Sequence, residues 1–237
     1  MIQIKPQNDS RFDNICCYCQ NYIYENITRD HVPSKVLLES PFPENLPVVF
    51  CCYDCNQNFS TDEEYFACMI EYICSETADI ELFERVKIRE ILNKKKHLRK
   101  RIEDNLEVRD GVIKVTVEME AINKIIKKLI YGHLAFEFAN PYISEPDYII
   151  FNTLDKLSPE DLDLFFSTQE IEKAPELGSR SALVMTFYNN VPIYDWKIVQ
   201  DDIYHYKIDV FQGVTFVKIL IRNKICIMAE WQEKSLV

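Results

Sequence analysis

Cys16-Cys17-Tyr18-Cys19 and Cys52-Tyr53-Asp54-Cys55-Asn56 are two Cys-x-x-Cys stretches with 32 residues between Cys19 and Cys52, and Asp30-His31 and Asn45 lie in that interval. Zn²⁺ takes four ligands in a tetrahedron, and two such pairs supply four thiolates from two chain segments. The spacing therefore predicts a structural zinc at Cys16, Cys19, Cys52 and Cys55, stapling a segment too short to build its own core. Cys17 and Cys51 adjoin the ligand positions, so the motif leaves open whether either replaces Cys16 or Cys52. For Cys68, Cys74 and Cys226 a buried apolar role is the expectation.

The order Cys-x-x-Cys, Asp30-His31, Asn45-Leu46, Cys52-x-x-Cys55-Asn56 resembles the zinc-containing branch of the HNH endonucleases. Arg29 to Leu37 (RDHVPSKVL) and Cys55 to Phe66 (CNQNFSTDEEYF) are similar to a bacterial subgroup of uncharacterised HNH proteins, and the likeness covers residues 16 to 66. It implies a ββα-metal unit, treble-clef-like, in which a hairpin, a loop and a helix surround one divalent cation. On that resemblance His31 is the general base, Asn45 braces the loop, and Asp30 and Asn56 hold a Mg²⁺ or Mn²⁺. The implied activity is hydrolysis of phosphodiester bonds in DNA, leaving 5′-phosphate and 3′-hydroxyl ends. The sequence departs from the pattern after Asn56, where a basic residue is common in the family but Gln57-Asn58-Phe59 leads to Asp62-Glu63-Glu64.

Net charge is −11, which argues against holding nucleic acid by bulk electrostatics. Residues 85 to 101 nevertheless carry nine Lys or Arg against one Glu. Arg29, Lys35, Lys94, Lys95 and Arg99 are the candidate phosphate contacts. Nucleic acid, DNA on the family reading, is the expected partner, with a protein partner or a homo-oligomer also open. Two rivals stand beside the nuclease: a non-catalytic zinc module, and a nuclease subunit active only with a partner.

Further out, Tyr22 to Tyr24 and Ile27 to His31 flank Glu25-Asn26 and suggest a hairpin. Ser60-Thr61-Asp62-Glu63 has the spacing of a capping box, predicting a helix over 62–75. Apolar periodicity predicts a second helix over 79–104 with the basic strip on one side, and a third from Ile122 to about Asn140 with His133 on its apolar face. Asp110-Gly111 signals a hairpin between Leu106–Arg109 and Val112–Val117. From 148 onward the texture is strands, with one short helix introduced by Ser158-Pro159 and an alternating strand, Tyr204 to Val210, expected to turn His205, Lys207 and Asp209 outward.

The class expected is α+β: a zinc-stapled nuclease domain over 1–80, a helical and hairpin extension over 81–140, and a C-terminal α+β domain over 141–237. With 47% apolar residues the chain can bury a sizeable core. The apolar runs are too short for a spanning helix and no leader is evident, so a cytoplasmic location and no membrane partner are expected.

Overall fold

The computed structural model describes residues 12–109, 112–141, 143–167, 186–188, 191–193, 195–211 and 213–232. Five α-helices accompany a C-terminal antiparallel sheet among these residues, a mixed α+β architecture. None of the helices is long and apolar enough to cross a membrane.

The chain divides into two compact units, residues 1–56 with 128–237, and residues 57–127. These do not follow the boundaries at 80 and 140 drawn along the sequence. The reason is tertiary: the amide of Gln200 donates to the Glu39 carbonyl at 3.0 Å, and Arg222 pairs with Glu39. The N-terminal segment is thereby joined to the sheet near the other end of the chain.

In the first unit, β1 (Ile27–His31) pairs antiparallel with β2 (Val48–Cys52), with Thr28 opposite Cys51 and Asp30 opposite Val49. This corrects the expected pairing of 22–24 with 27–31. Residues 14 to 23 instead fold on themselves: Tyr22 bridges Ile15, and the Gln20 amide donates to the Cys16 carbonyl at 2.8 Å. The tight return brings Cys16 and Cys19 together, leaving β1 to find β2.

The chain passes from β2 directly into α1 (Tyr53–Ser75), so Ser60 lies inside the helix instead of capping it. Its hydroxyl donates to the Gln57 carbonyl at 3.1 Å, a local bond a helix interior accommodates.

The sheet of the first unit has the order β5 (Tyr148–Thr153), β11 (Ile225–Gln232), β10 (Val214–Ile221), β9 (Tyr204–Phe211), β8 (Lys197–Gln200). α5 (Pro159–Phe166) begins where expected, with Ser158 accepting the Asp161 amide. Its Phe165 packs with Phe216, Leu220, Cys226 and Met228 on one face of the sheet.

Lys207 and Asp209, expected to face outward, are fully buried on that face, whereas His205 is partly exposed. The ammonium groups of Lys207 and Lys218 flank Asp209 at 3.1 and 2.6 Å. Each also donates to a carbonyl, Lys207 to Ser167 at 2.9 Å and Lys218 to Leu164 at 2.7 Å. Alternation marked a second face correctly but could not show that a helix covers it. A short pair, β6 (Thr186–Tyr188) with β7 (Val191–Ile193), lies outside this sheet.

In the second unit, the helix expected over 79–104 is divided at Lys95 into α2 (Val86–Lys94) and α3 (Lys96–Glu103). Ile88, Leu92, Leu98 and Ile102 are buried, the periodic face foreseen from sequence. β3 (Leu106–Arg109) and β4 (Val112–Val115) pair antiparallel, while Asp110-Gly111 lies outside the described residues, as does Gln212 between β9 and β10.

α4 (Met119–Phe138) belongs to both units, entering the first at Lys128. Gly132 marks a close approach within that unit. A Cβ there would lie 2.8 Å from a Val32 methyl, so only glycine lets the helix come this near the chain leaving β1.

Candidate metal centre and active site

Four thiols converge where the Cys16–Cys19 turn meets the end of β2 and the start of α1. The sulfurs of Cys16, Cys19, Cys52 and Cys55 all lie within 4.8 Å of one another, with Cys19 and Cys52 3.9 Å apart. Sulfurs at the Zn–S bond length in a tetrahedron are about 3.8 Å apart, so the set fits a structural zinc. The Cys55 amide points at the Cys52 sulfur at 3.4 Å. Cys17 and Cys51, which the motif left as alternatives, are buried and outside the cluster. Cys51 lies beside the Thr28 hydroxyl at 3.2 Å, and burial pushes its thiol up to about 12. Burial, with neighbouring thiols, raises Cys17 as well.

Asp30 and His31 end β1, and adjacent strand residues point to opposite faces. Asp30 faces inward. Its Oδ2 accepts the Tyr18 hydroxyl at 2.8 Å and meets the Lys128 ammonium at 2.8 Å; the Lys128 side chain is 2% exposed and that of Asp30 11%. Lys128 also donates to the Ser34 hydroxyl at 2.9 Å. The cation paired with Asp30 thus comes from α4, while its neighbour Arg29 is exposed, with its guanidinium 6.0 Å from the Phe50 ring centre.

His31 is half-buried, and its Nδ1 has no hydrogen-bond partner among the described residues. Burial and then the Lys35 charge hold the ring below the ordinary histidine range, partly opposed by Asp30 and the Pro47 carbonyl. At neutral pH the imidazole is therefore uncharged, the state a general base needs.

Asn45 is exposed in the turn before β2, and its side chain makes no hydrogen bond among the described residues. It lines a cavity with Trp196 and does not brace the His31 loop through a bond. Asn56 is half-buried near the start of α1, directly after Cys55.

The expected phosphate contacts are largely engaged with the protein. Lys94 lies 3.5 Å from Glu90, Lys95 pairs with Glu64, and Arg99 meets Glu103 at 2.7 Å. Lys35, half-buried, lies 5.7 Å from the Phe42 ring centre.

No family model, no curated protein and no solved structure matches this chain.

Sequence reasoning missed Tyr18, Ser34 and Lys128, the residues that surround Asp30. A signal existed for Lys128. It falls three residues after Ile125 and four before Gly132, on the face of α4 that is otherwise apolar.

Proposed function

We propose that the chain is a zinc-stapled, HNH-type hydrolase of phosphodiester bonds, acting on nucleic acid and foremost on DNA. The observation that carries the reading is His31: a half-buried imidazole held below the ordinary histidine range, at the end of a hairpin whose second strand runs directly into a helix held by the four-thiol cluster. His31 takes a proton from water as its oxygen attacks phosphorus. The P–O3′ bond breaks and the departing 3′ oxygen takes up a proton from solvent, leaving a 5′-phosphate and a 3′-hydroxyl. Lys35, close enough to depress the His31 ring, supplies positive charge toward the phosphate oxygens. The zinc does no chemistry; it fixes the hairpin against the start of α1.

A Mg²⁺ or Mn²⁺ held by Asp30 and Asn56 belongs to the family pattern, but this donor set does not fit it. Asp30 Oδ2 already accepts from Tyr18 and pairs with an almost fully buried ammonium, which would oppose a second cation. The same observation favours a second reading, a zinc-binding interaction module in which Asp30 is structural and His31 idle.

Plasmid nicking and oligonucleotide cleavage in Mg²⁺, Mn²⁺, Ni²⁺ and EDTA separate the two. His31→Ala is expected to lower cleavage by at least ~100-fold, within the range for losing a general base. Its zinc content and melting temperature are expected to stay at wild-type values. Equal cleavage by the variant would overturn the mechanism; no cleavage by wild type in any condition would favour the module.

A further inference from the structure

A cavity of about 430 Å³ opens in the first unit between the turn ahead of β2 and strand β8. Its lining includes Glu44, Asn45, Asp195, Trp196, Lys197 and Tyr206. The volume lies within the roughly 300–1,000 Å³ typical of small-molecule sites.

The walls are chemically specific. Trp196 is half-buried, its ring centre 5.3 Å from that of Phe165 and 6.2 Å from that of Phe166, so the indole is buttressed by α5. Tyr206 is stacked on His133 at 3.8 Å and donates to the buried Glu137. Lys197, the lone lysine of the lining, is held 2.6 Å from Glu137, which neutralises it from beneath. Glu44 and Asp195 are exposed carboxylates with no ion pair among the described residues. Asn45 presents an amide that makes no hydrogen bond among the described residues.

This lining repels phosphate and suits a flat, neutral ring with hydrogen-bonding edges. Indole offers a stacking face, the amide both donates and accepts, and a carboxylate accepts from an exocyclic amine. Pro47 lines the cavity and its carbonyl accepts the backbone amide of Val32, the residue after His31, at 3.0 Å, so the cavity borders the surroundings of the candidate base.

Resting on the hydrolase reading above, we propose that this cavity receives one unstacked nucleobase carrying an exocyclic amine, that is cytosine, adenine or guanine but not thymine, from the strand being cleaved. Trp196 stacks on it, and Asn45 with a neighbouring carboxylate reads its edge. A paired, stacked base cannot enter, so the substrate is single-stranded or flipped at that nucleotide.

The test uses tryptophan fluorescence of the zinc-loaded full chain carrying His31→Ala, titrated with hexamers of deoxycytidine, deoxyadenosine and thymidine. Trp231 is fully buried, so quenching by a stacked base reports Trp196. The cytosine and adenine hexamers are expected to quench at about tenfold lower concentration than the thymine hexamer, and Asn45→Ala to weaken them about tenfold. Trp196→Phe, which keeps a ring against Phe165, is expected to lose the quench yet still bind a dye-labelled hexamer by anisotropy. Equal quenching by all three hexamers, or quenching that survives Trp196→Phe, overturns the proposal. So does quenching by an arginine-rich peptide alone, which would assign the cavity to a protein partner. Cleavage by wild type without quenching sinks the base pocket and leaves the hydrolase; quenching without cleavage does the reverse.

Discussion

At Asp30, one carboxylate oxygen accepts a tyrosine hydroxyl and meets a lysine whose side chain is 2% exposed. Buried pairs add little over apolar replacements, but breaking one strands the survivor. Asp30→Asn leaves the Lys128 ammonium with Ser34 and a neutral amide, and is expected to cost about 3–5 kcal/mol in urea unfolding. The double variant Asp30→Leu/Lys128→Met should recover most of that loss. If Asp30→Asn shifts stability by less than about 0.5 kcal/mol, the carboxylate has no structural role and its availability to a metal must be reconsidered.

His133 predicts a pH dependence of stability. It is fully buried, its Nε2 lies 2.9 Å from the Tyr204 hydroxyl, and burial followed by the Lys197 charge lowers it from 6.5 to about 3. The folded chain therefore refuses a proton that the unfolded chain accepts. This contribution is fully present above pH 6.5 and is lost as pH falls toward about 3. The expected slope from this group is about 1.4 kcal/mol per pH unit. His133→Gln, which does not titrate, should lose less stability than wild type between pH 6 and pH 4. Parallel pH curves for the two proteins would remove His133 as the cause.

Among the elements, the Cys16–Cys19 turn, β2 and the first turn of α1 form one structural device, and its register is testable. Cys16→Ser and Cys52→Ser should each abolish stoichiometric zinc, read by metal analysis and a colorimetric chelator. Cys17→Ala and Cys51→Ala, which lie outside the cluster, should keep one zinc per chain. Loss of zinc from the second pair, with retention in the first, would reverse the assignment. The sheet makes a related point at Asp209, whose single carboxylate lies between two buried lysines. Carbonyls at the end of α5 take up further ammonium protons, and that is how a polar face becomes an interior one.

For the whole molecule, the −11 net charge and the ion pairs of Lys94, Lys95 and Arg99 point the same way. Lys94, Lys95 and Arg99 each face a glutamate, so these three side chains have little positive charge left to displace counterions from a duplex. Replacing all three by Ala is expected to change duplex affinity less than about threefold and to leave its salt dependence nearly unaltered. A salt slope falling by roughly 0.9 for each removed charge would show that these side chains do neutralise phosphates.

Much of this was legible along the chain. Spacing pointed to a four-thiol cluster while leaving Cys17 and Cys51 as alternatives to Cys16 and Cys52, periodicity marked the buried faces of α2, α3 and α4, and Ser158-Pro159 marked the start of α5. Those features are local, since a helical repeat or a Cys-x-x-Cys pair is written within a few residues of itself. What tertiary structure decided was partnership over distance: β1 with β2 instead of Tyr22–Tyr24, Cys16 and Cys52 instead of their neighbours, Lys128 for Asp30 across 98 positions of sequence. It also turned Asn45 toward a cavity with Trp196 and buried Lys207 and Asp209 beneath a helix. A charge written in the sequence does not disclose its counter-charge, because that depends on which distant segment the fold lays against it.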